Sequence, residues 1–152
     1  MLDNSQEITK RDPENVLGII ATEPEQALWD ANFVNFTDRG WRPKNIVLVG
    51  MGGSSLAGLI AKQWFNRDFN LNVPFEIVRD YSLPNYVNPD TLVNAFSVSG
   101  NTEETISALR DAHARHAYLV AVAAAGKLIC TALAYNVPHL QIAQFHPPHY
   151  GV

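Results

Sequence analysis

The sequence predicts an α/β fold with three layers, in which a five-stranded parallel sheet lies between two layers of helices. From residue 45 onward, short apolar runs alternate with segments of helical periodicity, which is typical of parallel strands joined by right-handed crossovers. The run of residues 46–49 is continuous rather than alternating, as expected for a strand that is buried on both faces. Helices are also expected before the first strand, within residues 1–42.

The composition favours one packed domain and excludes several classes of protein. Of the 152 residues, 47% are hydrophobic and 17% are charged, which argues against disorder. The net charge of −4 argues against nucleic acid or an anionic membrane as a partner. No signal peptide and no apolar run of membrane-spanning length is found, so we expect a cytoplasmic protein. Cys130 is the only cysteine and is expected to lie in the core.

Two helix starts are predicted before the first strand. Asp12 is a suitable N-cap, with Pro13 at the first helical position and an apolar helix through residues 16–20. Thr22 and Glu25 have the spacing of a capping box. An apolar helical stripe is predicted after this second start; it consists of Leu28, Trp29, Phe33 and Phe36.

The remaining elements follow from the apolar runs and the turn residues. The predicted strands are residues 46–49, 75–79, 92–98, 117–122 and 139–142, and the predicted helices are residues 56–65, 102–115 and 127–135. A loop is predicted for residues 81–90, which contain two prolines and two asparagines. We therefore expect a domain of residues 43–144, a helical segment of residues 1–42 packed on it, and a tail of residues 145–152.

Small-residue turns follow the first and third predicted strands, at the edge of a parallel sheet where ligands bind. The second turn brings the hydroxyls of Ser97, Ser99 and Thr102 to the start of a helix. The free amides and partial positive charge of a helix N-terminus suit an anion, best a phosphate. The alternative is simple helix capping, with Asn101 as the N-cap and Glu104 completing a box-like pattern.

Other chemistries fit the sequence less well. With Gly50 and Gly52 as the first glycines of a dinucleotide fingerprint, the third glycine should stand where Ser55 does. Acidic residues at 103 and 104 could act as acid or base, but they also complement a helix dipole.

Two His-x-x-His pairs raise the alternative of a metal site. They are His113 with His116, and His146 with His149. Neither pair has an evident third ligand, which a metal site needs. We therefore expect no metal.

Residues 97–105, Ser-Val-Ser-Gly-Asn-Thr-Glu-Glu-Thr, resemble the phosphosugar-binding signature of SIS (sugar isomerase) domains. Together with the Gly-Met-Gly-Gly-Ser turn of residues 50–54 and the stretch of residues 78–84, they are similar to bifunctional phosphoglucose/phosphomannose isomerases. The resemblance covers nearly the whole chain, and the stretch around residues 99–105 is its most specific part.

The resemblance implies a flavodoxin-like fold, two SIS domains per chain, and a dimer. It implies interconversion of glucose 6-phosphate or mannose 6-phosphate with fructose 6-phosphate through an enediol(ate), without a metal or organic cofactor. Three residues would hold the phosphate and three would face the sugar. They are Ser97, Ser99 and Thr102 for the phosphate, and Gly52, Gly53 and Ser54 for the sugar.

The chain departs from the family pattern in three ways. Residues 123–127 read Ala-Ala-Ala-Gly-Lys where the family has Thr-Ser-Gly-Gly-Lys. The arginine of a Pro-Arg pair is absent, the nearest match being Pro148 and His149. The family's catalytic glutamate, histidine and lysine belong to the second SIS domain, so no residue of this chain is assigned as catalytic.

The sequence therefore predicts the phosphosugar-binding half of an incomplete or split isomerase, which pairs with a second SIS domain or with a second copy of itself. One alternative is a non-enzymatic module that senses phosphosugars or regulates a partner. Another is a homodimeric enzyme whose site is completed by His146 or His149 and a carboxylate such as Glu103.

Overall fold

The computed structural model describes residues 4–22, 24, 28, 31–37, 40–68 and 73–142. These residues fall into two compact units, one formed by those before residue 32 and the other by residues 32–142.

The first unit contains two short helices, α1 (Ser5–Arg11) and α2 (Val16–Thr22). The Asp12 carboxylate accepts hydrogen bonds from the N–H groups of Val16 and Leu17, at 2.7 and 2.9 Å. Asp12 therefore caps α2, but from four residues upstream of its first residue. The prediction that Pro13 is the first helical residue was wrong, because residues 13 and 14 form a turn before the helix.

The second predicted helix start was also wrong. Thr22 is the last residue of α2, and its hydroxyl donates a hydrogen bond back to the Ile19 carbonyl at 2.8 Å. Phe33 and Phe36 do not belong to a helix, because Val34 between them forms an antiparallel bridge with His139. Glu25 and Trp29 of the predicted pattern lie outside the described residues.

The second unit is built on a parallel sheet of five strands in the order β2-β1-β3-β4-β5. The strands are β1 (Asn45–Val49), β2 (Phe75–Val78), β3 (Thr91–Phe96), β4 (Tyr118–Ala123) and β5 (His139–Gln141). The helices are α3 (Gly53–Asp68), α4 (Glu103–Ala114) and α5 (Gly126–Ala134). This order is flavodoxin-like, with its switch point between β1 and β3. The predicted fold class is confirmed.

Helices cover both faces of the sheet. On one face, Val47 of β1 and Val93 of β3 belong to a buried cluster that also contains Leu109 of α4 and Leu128 of α5. On the other face α3 approaches β1 closely: a Cβ atom at Gly58 would lie 2.8 Å from a methyl group of Leu48. These contacts make the three predicted layers.

The prediction that Cys130 lies in the core was wrong. The helix buries Leu128, Ile129 and Ala132 against the sheet, and Cys130 lies on the exposed side. In the part of the chain that the structure describes, no helix is both long and apolar enough to cross a membrane.

Candidate functional site

The two small-residue turns meet at the carboxyl edge of the sheet. The strands β1 and β3 pair directly, with Val49 opposite Ala95, so the turns that follow them are neighbours. The Ser54 hydroxyl accepts a hydrogen bond from the N–H of Val98 at 3.4 Å, which joins the two turns. The sequence predicted that both turns lie at this edge, because each follows a parallel strand; their direct contact is a finding of the structure.

The three hydroxyls of the second turn have different environments. Ser97 is buried, shares a hydrogen bond of 2.8 Å with the Thr102 hydroxyl, and accepts another from the N–H of Gly100 at 3.1 Å. Ser99 is exposed, and its hydroxyl accepts from the N–H of Asn101 at 3.3 Å. Ser97 therefore holds the turn together and orients Thr102, while Ser99 and Thr102 are the more accessible hydroxyls.

The alternative interpretation, in which Asn101 and Glu104 cap α4, does not describe the start of this helix. Thr102 occupies the N-cap position, and its side chain makes no capping hydrogen bond. Asn101, which capping would require there, instead accepts a hydrogen bond from the N–H of Lys127 at the start of α5, at 3.1 Å. The interpretation of Asn101 as the N-cap of α4 was therefore wrong. The first amides of α4 are left without a side-chain cap.

Close backbone packing fixes the shape of the second turn. Gly100 has a φ of +66°, and a Cβ atom there would lie 1.7 Å from the Ala125 carbonyl oxygen. The Gly100 carbonyl accepts from the N–H of Leu128 at 2.8 Å, and the Val98 carbonyl accepts from that of Ala124 at 3.0 Å. The turn after β3 is thus seated on the loop after β4, at a distance that only glycine permits.

The first turn is open on its outer side. Gly52 has a φ of +53°, and a Cβ atom at Gly52 or Gly53 would meet nothing within 4 Å. The Ser55 hydroxyl donates to the Gly52 carbonyl at 2.7 Å, which tightens the turn into α3. Space for a ligand therefore remains in front of this backbone.

Carboxylates flank the hydroxyl turn. Glu103 and Glu104 form the first turn of α4, and Glu104 is half-buried. The negative charge of Glu104, followed by partial desolvation and the charge of Glu103, raises the pKa of Tyr81 above its usual value. The phenol therefore stays protonated at neutral pH and is a hydrogen-bond donor close to the start of α4. Sequence reasoning assigned Tyr81 no role.

The histidines with metal-like spacing have other surroundings. His113 stacks on Tyr135 with ring centroids 3.9 Å apart, and His116 lies in the turn after α4. Within the described ranges, no three or more side chains of the His, Cys, Asp or Glu type lie together as a metal site would require. His146 and His149 lie outside those ranges.

Residues 41–139 match the sequence profile of the family described as the SIS domain. The chain belongs to this family. Over 83 residues, this SIS domain is 46% identical to the bifunctional phosphoglucose/phosphomannose isomerase of Caldicellulosiruptor bescii, a match that covers 55% of the chain and 24% of that relative. Over 110 residues it is 37% identical to the enzyme of the same name from Aquifex aeolicus, covering 72% of the chain and 34% of that relative.

A solved structure gives the same fold. The tagatose-6-phosphate ketose/aldose isomerase from Escherichia coli superimposes with a TM-score of 0.56 at 23% identity, over 86% of the chain and 36% of that protein. The SIS domain is thus homologous to sugar-phosphate isomerases. It spans about a quarter to a third of the length of the two curated relatives.

The six residues predicted from the sequence lie on the two joined turns. The list comprises Gly52, Gly53 and Ser54 after β1, and Ser97, Ser99 and Thr102 after β3. Contact of each of them with a ligand stays a prediction.

Proposed function

We propose that this SIS domain binds hexose 6-phosphates, namely fructose, glucose and mannose 6-phosphate, as the phosphosugar-binding part of a phosphoglucose/phosphomannose isomerase. The observation that carries the proposal is the junction of two turns at the carboxyl edge, bridged by Ser54 and Val98, in front of a helix without a side-chain cap. The family and the names of the two curated relatives support the same ligand class.

The phosphate would bind at the second turn. The hydroxyls of Ser99 and Thr102 are available there beside the first amides of α4, and the helix dipole favours negative charge at this end. Ser97 would act mainly through Thr102, whose hydroxyl it holds at 2.8 Å. Because these donors are neutral, we expect a modest affinity, on the order of micromolar to millimolar.

The sugar would lie against the first turn. Glycine at 52 and 53 leaves the backbone open, and the Ser54 hydroxyl stands at the junction of the two turns. A sugar extending from a phosphate at the second turn reaches this surface because β1 and β3 are adjacent.

In the isomerisation that the relatives' names describe, this chain would bind and orient the substrate. The reaction requires ring opening and transfer of a proton between C1 and C2 through an enediol(ate), with a carboxylate as the base. The proton-transferring groups would come from a second SIS domain, since by resemblance they lie there. The active assembly we propose is therefore a pair of SIS domains, formed with a second domain or with another copy of this chain.

Calorimetric titration with fructose 6-phosphate tests the proposal, with free fructose as the control ligand. We expect binding that depends on the phosphate and a loss of about tenfold or more in Thr102→Ala, because one charge-assisted hydrogen bond disappears. Thr131→Ala is a matched control, since its hydroxyl donates to the Lys127 carbonyl within α5. Equal affinity for fructose and its phosphate, or no binding at all, would overturn the proposal.

The loop after β4 favours a second candidate, a non-enzymatic phosphosugar sensor. Ala124 is buried and Ala125 exposed, so this loop offers a ligand backbone groups but no side-chain hydroxyl. Such a sensor should change its association with a partner protein when fructose 6-phosphate is added. Turnover of the sugar phosphate by the chain alone, with unchanged association, would exclude it.

A further inference from the structure

The segment between β2 and β3 crosses the sheet without a helix. It leaves β2 at the carboxyl edge, where the two small-residue turns also lie, and returns to the opposite edge at Thr91. Leu83 and Val87 anchor it in the core, each only 4% exposed. The segment is therefore part of the packed structure and not a free loop.

The last turn of α4 holds this segment in place. The Arg115 guanidinium donates to the Pro84 carbonyl at 2.8 Å and to the Leu83 carbonyl at 3.3 Å. Asp111 accepts from the N–H of Leu83 at 3.0 Å and pairs with Arg115 at 2.8 Å. We call these contacts between Asp111, Arg115 and residues 83–84 the clamp. They fix the segment relative to the helix whose other end carries the hydroxyl turn.

Tyr81 lies two residues before Leu83 of the clamp and three residues after Val78, the last residue of β2. Tyr81 is 51% exposed, and its N–H donates to the Asp80 carboxylate at 2.6 Å. Glu104 and Glu103, at the start of α4, are the charges that act on its phenol. Because the clamp fixes the segment that begins at the carboxyl end of β2, Tyr81 is held beside the edge that carries the candidate site.

We infer that Tyr81 is a specificity-determining residue that contacts the sugar part of the ligand and not its phosphate. This inference rests on the proposed function. In the sheet β1 lies between β2 and β3, so the open glycine turn has the Tyr81 segment on one side and the hydroxyl turn on the other. A phenol on the β2 side of the glycine turn is therefore placed for the sugar, whereas the phosphate would be held one strand away at the hydroxyl turn. A neutral phenol can donate to or accept from a sugar hydroxyl.

The test compares two ligands and two tyrosines on the same segment. Fructose 6-phosphate and inorganic phosphate are titrated into wild type, Tyr81→Phe and Tyr86→Phe, followed by calorimetry and by amide shifts in NMR spectra. Tyr86 is the matched control, since it is also exposed and its hydroxyl donates to Glu76 on β2. We expect Tyr81→Phe to weaken fructose 6-phosphate binding about fivefold, as for one neutral hydrogen bond, and to leave phosphate binding unchanged.

The outcomes separate this inference from the proposed function. Wild type that binds neither ligand overturns both. Wild type that binds fructose 6-phosphate, with Tyr81→Phe and Tyr86→Phe equal to it, overturns only the role of Tyr81. An equal loss for fructose 6-phosphate and inorganic phosphate in Tyr81→Phe places the phenol at the phosphate and also overturns the inference. A loss confined to fructose 6-phosphate and to Tyr81→Phe supports it.

Discussion

The hydroxyls of the turn after β3 differ in what they do for the protein itself. Ser97 is buried and serves the turn through Gly100 and Thr102, whereas Ser99 is exposed and bonded only to its neighbour Asn101 in the contacts described. The two serines therefore have different roles: Ser97 stabilises the turn, whereas Ser99 is available to a ligand. Stability measured beside affinity separates them.

We expect Ser99→Ala to weaken fructose 6-phosphate binding about tenfold or more while the free energy of unfolding stays within about 0.5 kcal/mol. Ser97→Ala should lower both, with a cost of about 1–2 kcal/mol in stability, because a buried hydroxyl with two partners is lost. Urea denaturation and calorimetry measure the two effects. Wild-type affinity in Ser99→Ala would show that the Ser99 hydroxyl does not contact the ligand.

A second residue-scale prediction concerns Gly100. Gly100→Ala combines a positive φ with a Cβ atom 1.7 Å from the Ala125 carbonyl oxygen, so we expect a loss of roughly 2–5 kcal/mol from strain and overpacking. Gly53→Ala is the matched control, because a Cβ atom at this first residue of α3 meets nothing within 4 Å. It should be neutral or stabilise by up to about 1 kcal/mol. Equal urea midpoints in the two variants would contradict the packing of the two loops.

The residue types of the site could be predicted from the sequence, but some of their partners could not. A hydroxyl-rich turn after an apolar strand is a local pattern, and it correctly indicated the position of Ser97, Ser99 and Thr102. Asn101 was misinterpreted, because its partner Lys127 is 26 residues away and belongs to another helix. The pattern around Asn101 contains no information about the start of α5, where this partner lies.

At the scale of elements, local sequence patterns give a wrong secondary structure where a segment pairs with a distant part of the chain. Phe33 and Phe36 have helical spacing, yet Val34 between them pairs with β5 through two backbone hydrogen bonds of 2.8 and 3.1 Å. The strands of the sheet were predicted within one or two residues, because short runs rich in apolar residues and bounded by turn residues are local signals for strands.

The clamp between α4 and the segment after β2 gives a pH-dependent prediction. Partial burial raises the pKa of Asp111, but the hydrogen bonds from Leu83 and Arg115 and the charge of Arg115 outweigh it and bring the pKa below its usual value. The ionised form therefore stabilises the fold above the unfolded pKa, about pH 4, and this contribution is lost as the pH falls through the lower folded value. Asp111→Asn should cost about 1–2 kcal/mol at neutral pH.

Urea denaturation between pH 7 and pH 2.5 measures this effect. The difference between wild type and Asp111→Asn should shrink below about pH 4. Asp90→Asn is the control, since its exposed ion pair with Lys44 should contribute much less. A constant difference across this pH range would mean that the charge of Asp111 does not stabilise the clamp.

At the scale of the whole molecule, the sheet order explains why the site lies where it does. All strands are parallel, but the order in which they are added to the sheet reverses at β1: the chain continues from β1 to β2 on one side and then to β3 on the other. The crossovers that follow β1 and β3 therefore leave on opposite faces and open a crevice at the carboxyl ends of these strands. The alternation of strands and helices predicted a parallel sheet, and the resemblance to SIS domains implied its flavodoxin-like order. The chain spans only about a quarter to a third of the two curated relatives, so the role of the site in a reaction stays a proposal.

The last prediction follows from that difference in length. We expect the chain alone to bind fructose 6-phosphate without converting it to glucose or mannose 6-phosphate, because the proton-transferring residues are proposed to lie in a second SIS domain. Adding a separately produced second SIS domain should restore turnover in a coupled assay. Reconstitution with Thr102→Ala should require about tenfold more substrate for half-maximal rate, as expected for a lost phosphate contact.

Turnover by the chain alone would show instead that the catalytic groups are its own. A mixture that binds substrate but stays inactive would favour the phosphosugar sensor.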